Sequence, residues 1–490
     1  MHLSSLSSPY GIGSMGKPAR EFIDFLKAAG QGYWQLLPIC PTSYGDSPYQ
    51  SFSTYAGNPY FIDLEQLVGE GLLTEDECEE ADFGDDDRYI AYDKIYKARF
   101  KVLKKAYERW KKDHHQFLKS KLDPETIEYC FYMAVKDHFK SASWNKWDKD
   151  IRLRKPAAVE KYKKMLADEI GFYEFQQIEF NEQWSRLKAY ANENGIRIIG
   201  DIPIYVAFDG ADSWAHPELF QFDEECLPKA VAGCPPDAFS ATGQLWGNPL
   251  YDWGYHKKDH YSWWIKRMEY SLKLYDVVRV DHFRGFEAYY SIPYGDPTAE
   301  FGHWEKGPGL DLFARLKKSL KKEELPIIAE DLGFLTDTVR QLLKDSGYPG
   351  MKVLEFAFVA GEDSDYLPHN YDKNCVVYTG THDNDTLQGW YQTLSEEDKE
   401  MTKEYLNNPY TPDEEVHWDF ISLAMRSVAD TCIIPVQDYL GLGAEARINE
   451  PSTLGKNWKW RLLPGELNSD VLKQCRRMAK LYGRLPEINM

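Results

Sequence analysis

The chain has 490 residues, 43% hydrophobic and 28% charged, a composition of ordinary globular proteins that excludes a disordered or fibrous chain. Its formal charge of −20 argues against nucleic acid as the main partner, because phosphate binding needs clustered Lys and Arg. No apolar run approaches the ~18 residues of a membrane helix, and residues 1–9 lack the basic and apolar regions of a secretory signal, so a cytoplasmic protein is expected.

In chain order, the first periodic segment places Phe22, Phe25, Leu26 and Ala29 on one face of a helix closed by Gly30. A short apolar run at 33–39 follows, and then a Gly- and Pro-containing loop, Ser43-Tyr44-Gly45-Asp46-Ser47-Pro48-Tyr49-Gln50. Residues 66–194 are charged, aromatic and helical in pattern, far too long for a simple connection, and are expected to form an inserted helical subdomain. The run at 197–204 contains Asp201 near its end. Residues 208–261, rich in Gly, Pro and Trp, are expected to form a second insertion of loops over the mouth of the fold, carrying Trp246 in Gly243-Gln244-Leu245-Trp246-Gly247-Asn248-Pro249. Further apolar runs lie at 277–283, 326–332, 351–358, 376–381 and 431–436. Between the last two, Thr411, Pro412 and Glu414 predict a capping box opening a helix that ends near Ala429. The lysine-rich stretches 161–164 and 317–322 read as solvated helix faces, and Gly307-Pro308-Gly309 reads as a turn rather than a phosphate cradle.

Seven short apolar runs alternating with helices mean an α/β fold. A doubly wound sheet would gather its ligand residues at one switch point. Here four separate strands end in Asp201, Asp281, Glu330 and Asp383, and convergence from many strand ends points to a (β/α)8 barrel with inserted subdomains.

The chemistry concentrates at three of those ends. In Arg279-Val280-Asp281-His282-Phe283-Arg284-Gly285, strand alternation puts Arg279 and Asp281 on one face, so the guanidinium can orient the carboxylate as a nucleophile; a plain ion pair would look the same. Glu330 leaves an apolar run directly, where burial raises a carboxyl pKa toward the value a general acid requires, although a hydrogen-bonded strand-end residue is an equal reading. Asp383 lies in Thr379-Gly380-Thr381-His382-Asp383-Asn384-Asp385-Thr386, where a helix cap is the plain alternative reading for any Asp or Asn. Three acids at three strand ends suit retaining glycosidase chemistry, with two flanking the scissile bond and a third stabilising an oxocarbenium-like transition state. Among the many aromatics, Tyr44, Tyr49 and Trp246 stand in loops and are candidates to stack on sugar rings. The eight cysteines show no C-x-x-C pair and no histidine at zinc spacing, so they read as free thiols, and no metal site is legible.

With these motifs, the chain resembles the amylomaltases, or 4-α-glucanotransferases, relatives of the α-amylase superfamily. The resemblance rests on Ser47-Pro48-Tyr49-Gln50-Ser51-Phe52-Ser53, Gly200-Asp201-Ile202-Pro203-Ile204-Tyr205-Val206, Pro235-Pro236-Asp237-Ala238-Phe239-Ser240, the three acidic segments, and Asn457-Trp458-Lys459-Trp460-Arg461. It implies Asp281 as nucleophile, Glu330 as acid/base and Asp383 as transition-state stabiliser. It also implies Tyr49, Asp201, Arg279, His282 and His382 around the cleaved sugar, Trp246 in the groove and Tyr44 as a secondary glucan contact. The implied activity is transfer of α-1,4-glucan segments among maltodextrins and glucose, without a cofactor. A glucan hydrolase shares the same catalytic motifs, and a glucan-binding protein would be marked by loss of a carboxylate. In one respect the chain departs from the family, whose members usually carry about ten further residues, including an apolar first barrel strand, before the segment matching 2–10. Either translation starts upstream of Met1 or the first strand is truncated to a stub at 1–3.

Overall fold

All seven apolar runs become strands, and a computed structural model describes residues 1–114, 122–236, 240–333, 335–359 and 363–486. The barrel strands are β1 (Tyr33–Gln35), β2 (Arg197–Pro203), β5 (Val277–Asp281), β8 (Ile327–Ala329), β9 (Gly350–Val353), β10 (Cys375–Tyr378) and β11 (Thr431–Ile433). Two parallel ladders run β1-β2-β5-β8 and β9-β10-β11. The N–H of Ala329, donating to the Pro349 carbonyl at 2.9 Å, joins them into one curved wall. The strands are shorter than their apolar runs because the chain leaves the ladder at its C-terminal end, where the polar residues begin.

Alternation divides each strand between two environments. Val277 points into the barrel with Ile199, Ile328, Met351, Val353, Val376 and Tyr378, whereas Val278 and Val280 face the helical layer. Arg279 and Asp281 share the inward parity of Val277, which is how an apolar strand delivers charged groups to the barrel mouth. Outside, helices such as Lys17–Ala28, Ala167–Glu193, Ser262–Leu274 and Leu310–Leu320 cover the sheet. Trp34, Trp184 and Trp264 are fully enclosed between the layers. At ~25 cal/mol per Å² over roughly 150–250 Å², each contributes about 4 to 6 kcal/mol before entropy is counted. Beside Asp201 only glycine fits, since a Cβ at Gly200 would stand 2.1 Å from the Tyr275 ring.

The ring is not closed by an eighth strand among the described residues. β1 pairs only with β2 and β11 only with β10, and a cleft of about 1020 Å³ lies between them, bordered by Phe22, Tyr33, Gln35, Cys432 and Cys475. The expected stub makes no ladder: Leu3–Ser5 is a 3-10 turn, and Met1 contributes its carbonyl to the indole N–H of Trp34 at 2.7 Å.

Residues 66–194 are helical, including Tyr92–His114, Pro124–His138 and Ala167–Glu193, and an aromatic core of their own forms around Tyr129, Trp144, Trp147 and Tyr173, joined by Trp214. The segment 208–261 is not made of loops alone. It supplies β3 (Ala230–Cys234) and β4 (Gln244–Pro249), which join β6 (Ala288–Pro293) and β7 (His303–Lys306) in an antiparallel sheet of order β4-β3-β6-β7. Pairing with the hairpin beyond β5, a long-range contact, makes these strands. Asp237, Ala238 and Phe239 of the Pro235 motif lie outside the described residues. The capping box at Thr411 does not form. A 3-10 turn, Asp413–Glu415, absorbs Glu414, and the helix begins without a side-chain cap at Val416 and ends at Arg426.

Candidate active site

Four strand ends and two loops converge at the barrel mouth. Arg279 is the hub: its Nη1 donates to Asp201 Oδ2 at 2.7 Å and to Asp281 Oδ1 at 3.0 Å, and its Nε donates to Met351 Sδ at 3.4 Å. Tyr49 adds a fifth member by donating its hydroxyl to Asp201 Oδ2 at 2.8 Å. Asp201 and Arg279 are buried, while Asp281 remains partly open to the groove. Burial pushes the Asp201 carboxyl up to about 6, with Arg279 opposing and Asp281 adding to the rise. One cation thus serves two carboxylates and leaves Asp281 presented to solvent.

Glu330, the residue after β8, faces the segment that follows Asp281. Its Oε2 accepts the backbone N–H of His282 at 2.7 Å, and its Oε1 accepts that of Leu332 at 2.7 Å. Burial first and the Asp281 carboxylate second push its pKa up to about 7, against the opposing pull of Arg279 and the two N–H groups. A carboxyl that holds its proton near neutrality beside a second carboxylate is the pairing that acid catalysis and nucleophilic attack require.

His282 adopts left-handed backbone geometry at φ 55°, a sparsely populated region for a non-glycine residue. The turn aims its imidazole at the groove, edge-on to Trp246 at 4.8 Å between ring centroids. Burial, then Arg284, pushes its pKa down to about 3, so the ring is neutral. Among the described residues its buried Nε2 has no hydrogen-bond partner, which leaves it to meet a sugar hydroxyl. Trp246 is fixed by its own N–H donating to Gln244 Oε1 at 3.0 Å.

On the opposite side, His382 stacks on Tyr49 at 5.0 Å, and Trp458 flanks both rings. Asp383 stands half-exposed beside His382, with 3.4 Å between His382 Nε2 and Asp383 Oδ1. Two residues that sequence reasoning missed hold it. Asn449 Nδ2 donates to Asp383 Oδ1 at 2.6 Å, and Arg447 Nη2 donates to the Asp383 carbonyl at 2.7 Å. Both come from an irregular stretch with no periodicity to flag it; only the neighbouring Trp458 fell in a recognised motif.

The structure therefore gathers Tyr49, Asp201, Arg279, Asp281, His282, Glu330, His382, Asp383 and Trp246. Tyr44 stays outside this cluster, 71% exposed, with its hydroxyl donating to the Ser141 carbonyl at 3.5 Å. Among the described residues, no group of three or more His, Cys, Asp or Glu side chains is arranged to hold a metal, and no helix is long and apolar enough to cross a membrane.

Comparison with known proteins gives a concordant result. A family model described as 4-alpha-glucanotransferase matches residues 1–467. The 4-alpha-glucanotransferase of Clostridium butyricum is 51% identical over 489 residues, covering 99% of this chain and 100% of that protein. The Thermus thermophilus 4-alpha-glucanotransferase is 46% identical, with 99% and 98% coverage. Among solved structures, the amylomaltase from Streptococcus agalactiae in complex with acarbose superimposes with a TM-score of 0.95 at 39% identity, covering 99% of each chain. The Corynebacterium glutamicum amylomaltase shares the fold at a TM-score of 0.75 and 18% identity, over 99% of this chain and 74% of that one.

Proposed function

Since the chain belongs to the 4-alpha-glucanotransferase family, and so moves segments of α-1,4-glucan onto glucose or other maltodextrins, we propose that Asp281, Glu330 and Asp383 carry that transfer. The observation that carries the assignment is the Glu330 carboxyl, poised at about 7 beside the Asp281 carboxylate that Arg279 orients.

Glu330 gives its proton to the glycosidic oxygen as the bond from C1 breaks, and Asp281 attacks C1 from the opposite face to form a glycosyl ester. The shortened glucan leaves with the proton. Glu330, now a carboxylate, takes the proton of the 4-hydroxyl of an incoming glucose or maltodextrin. That oxygen attacks C1, the bond to Asp281 breaks, and the α configuration is restored. Asp383 meets hydroxyls of the distorted sugar in both transition states, which bear positive charge at C1. Tyr49, Asp201, Arg279, His282 and His382 surround that sugar, Trp246 lines the groove, and Tyr44 offers an outlying glucan contact.

Transfer rather than hydrolysis is favoured by aromatic walls, Trp246 against His282 and Trp458 against Tyr49 and His382, which keep water from the ester while an acceptor docks. Acarbose, held by the Streptococcus agalactiae amylomaltase, is expected to bind in the same groove. Residues 66–194 and 208–261 form subdomains inserted in the barrel. None of the eight cysteines forms a disulfide, which supports a cytoplasmic location.

Incubating the protein with maltotriose alone tests the assignment. The wild-type enzyme yields glucose together with chains longer than maltotriose, and Asp281→Asn yields neither while keeping its fold. A folded Asp281→Asn enzyme with about a tenth or more of the wild-type rate refutes the role of Asp281.

A further inference from the structure

The loop 380–386, which carries His382 and Asp383, is not fully packed against its neighbours. Gly380, Thr381, His382, Asn384, Asp385 and Thr386 all border a cavity of about 100 Å³. Hydrogen bonds fix its shape instead. Asn384 Oδ1 accepts from the Thr381 N–H at 3.0 Å and from the Thr381 hydroxyl at 2.8 Å, and that hydroxyl oxygen also receives the Asp383 N–H at 3.3 Å. With its oxygen engaged twice, Asn384 turns its amide nitrogen to the Glu355 carboxyl, to which it is hydrogen-bonded.

Glu355 lies just beyond β9 in the 3-10 turn Leu354–Phe356 and is 7% exposed. Its own N–H donates to the Thr379 carbonyl at 3.2 Å, so backbone and side chain grip both ends of the junction between β10 and the loop. Gly380 permits the close approach: a Cβ there would stand 2.5 Å from Glu355 Oε1. That oxygen is buried without a hydrogen-bond partner among the described residues, and no step of the transfer uses it.

We propose that Glu355 is a positioning residue, which acts through Asn384 and Thr381 to fix the loop that presents Asp383 to the sugar. The inference rests on the transition-state role given to Asp383 above. It requires the carboxyl to be neutral. An ionised Glu355 would leave one charged oxygen unpaired in a desolvated site, close to the carboxylates of Asp438 and Asp385, with the Asn384 amide and Arg447 opposing them. Asp438 is pinned there by the Thr379 hydroxyl at 2.6 Å and the Leu387 N–H at 2.9 Å. Burial first, then Asp438 and Asp385, hold the Glu355 pKa well above the ordinary carboxyl range.

The test compares maltotriose disproportionation by the full-length wild type, Glu355→Gln, Glu355→Ala, Asn384→Ala and Asp383→Asn, separating kcat from KM and following thermal unfolding of each. Gln keeps the shape and neutrality of the acid, so Glu355→Gln is expected within about threefold of wild-type kcat. Glu355→Ala and Asn384→Ala are expected to lose about tenfold or more in kcat with KM within about threefold, because Asp383 acts on the transition state. A loss above about tenfold in Glu355→Gln, or wild-type kcat in Glu355→Ala while Asp383→Asn is inactive, overturns the positioning role. An active Asp383→Asn enzyme overturns the role of Asp383 instead. If Glu355→Ala does not fold, Asn384→Ala decides the question, since it cuts the same relay with Glu355 in place.

Discussion

Replacing Glu330 by Gln removes the proton that the first half-reaction consumes, and it also removes a buried ionisable group from the folded state. Burial and Asp281 raise this carboxyl from 4.5 to about 7. At ~1.4 kcal/mol per pH unit, that interval corresponds to roughly 3 kcal/mol, and the partial exposure of Glu330 at the groove reduces it to roughly 1 to 3 kcal/mol. Between pH 4.5 and about 7 the folded chain keeps a proton that the unfolded chain has released, so the wild type loses stability as pH rises through this window. Glu330→Gln carries no such proton. Its stability relative to wild type should therefore rise by roughly 1 to 3 kcal/mol between pH 4.5 and 8, while transfer activity is lost at every pH. Guanidinium unfolding of both proteins across that range measures the difference, in which the titrations of groups that do not interact with Glu330 cancel. A constant offset is expected as well, because both carboxyl oxygens accept backbone N–H groups and one becomes an amide NH2. The slope is the diagnostic, and a flat difference from pH 4.5 to 8 refutes the burial argument for Glu330.

The wild-type transfer rate should fall as pH rises through about 7, where Glu330 gives up its proton; a rate still climbing at pH 8, in initial-velocity measurements, contradicts its role as acid. Arg279→Met leaves Asp201 and Asp281 without their shared cation and is expected to destabilise the fold by about 3 to 5 kcal/mol, read from the denaturant midpoint. Gly200→Ala forces a methyl group toward the Tyr275 ring and should cost about 1 to 3 kcal/mol, with a matching drop in melting temperature. A short apolar, strand-forming extension ahead of Met1 is expected to raise the melting temperature by filling the cleft between β1 and β11, and no change in a thermal scan would dismiss that cleft as a strand site.

The parts of the site legible in the sequence were those encoded by local pattern. Asp281 and Glu330 each end an apolar run, and a run that short and that apolar is a buried strand whose C-terminal end opens on a barrel mouth. Asp383 lay in a dense polar segment that reads equally well as a helix cap. Its partner Asn449 is 66 residues away, so nothing local announced the contact. The same limit hid β3 and β4, which become strands by pairing with each other and with the distant hairpin β6–β7. It also explains the capping box that failed at Thr411, where three acidic residues settled into a 3-10 turn instead.

What the sequence by itself determined is the set of parallel barrel strands and their charged ends, because alternation and burial act between neighbours in the chain. Only the tertiary structure decided how those ends are used. It assigned Arg279 to two carboxylates at once, turned both Glu330 oxygens to backbone N–H groups, and buried Glu355 behind Asp383 with one oxygen unpaired. The pKa of a carboxyl depends on the solvent removed from it and on charges brought near it. Both are products of the folded chain, and residues far apart in the sequence supply them.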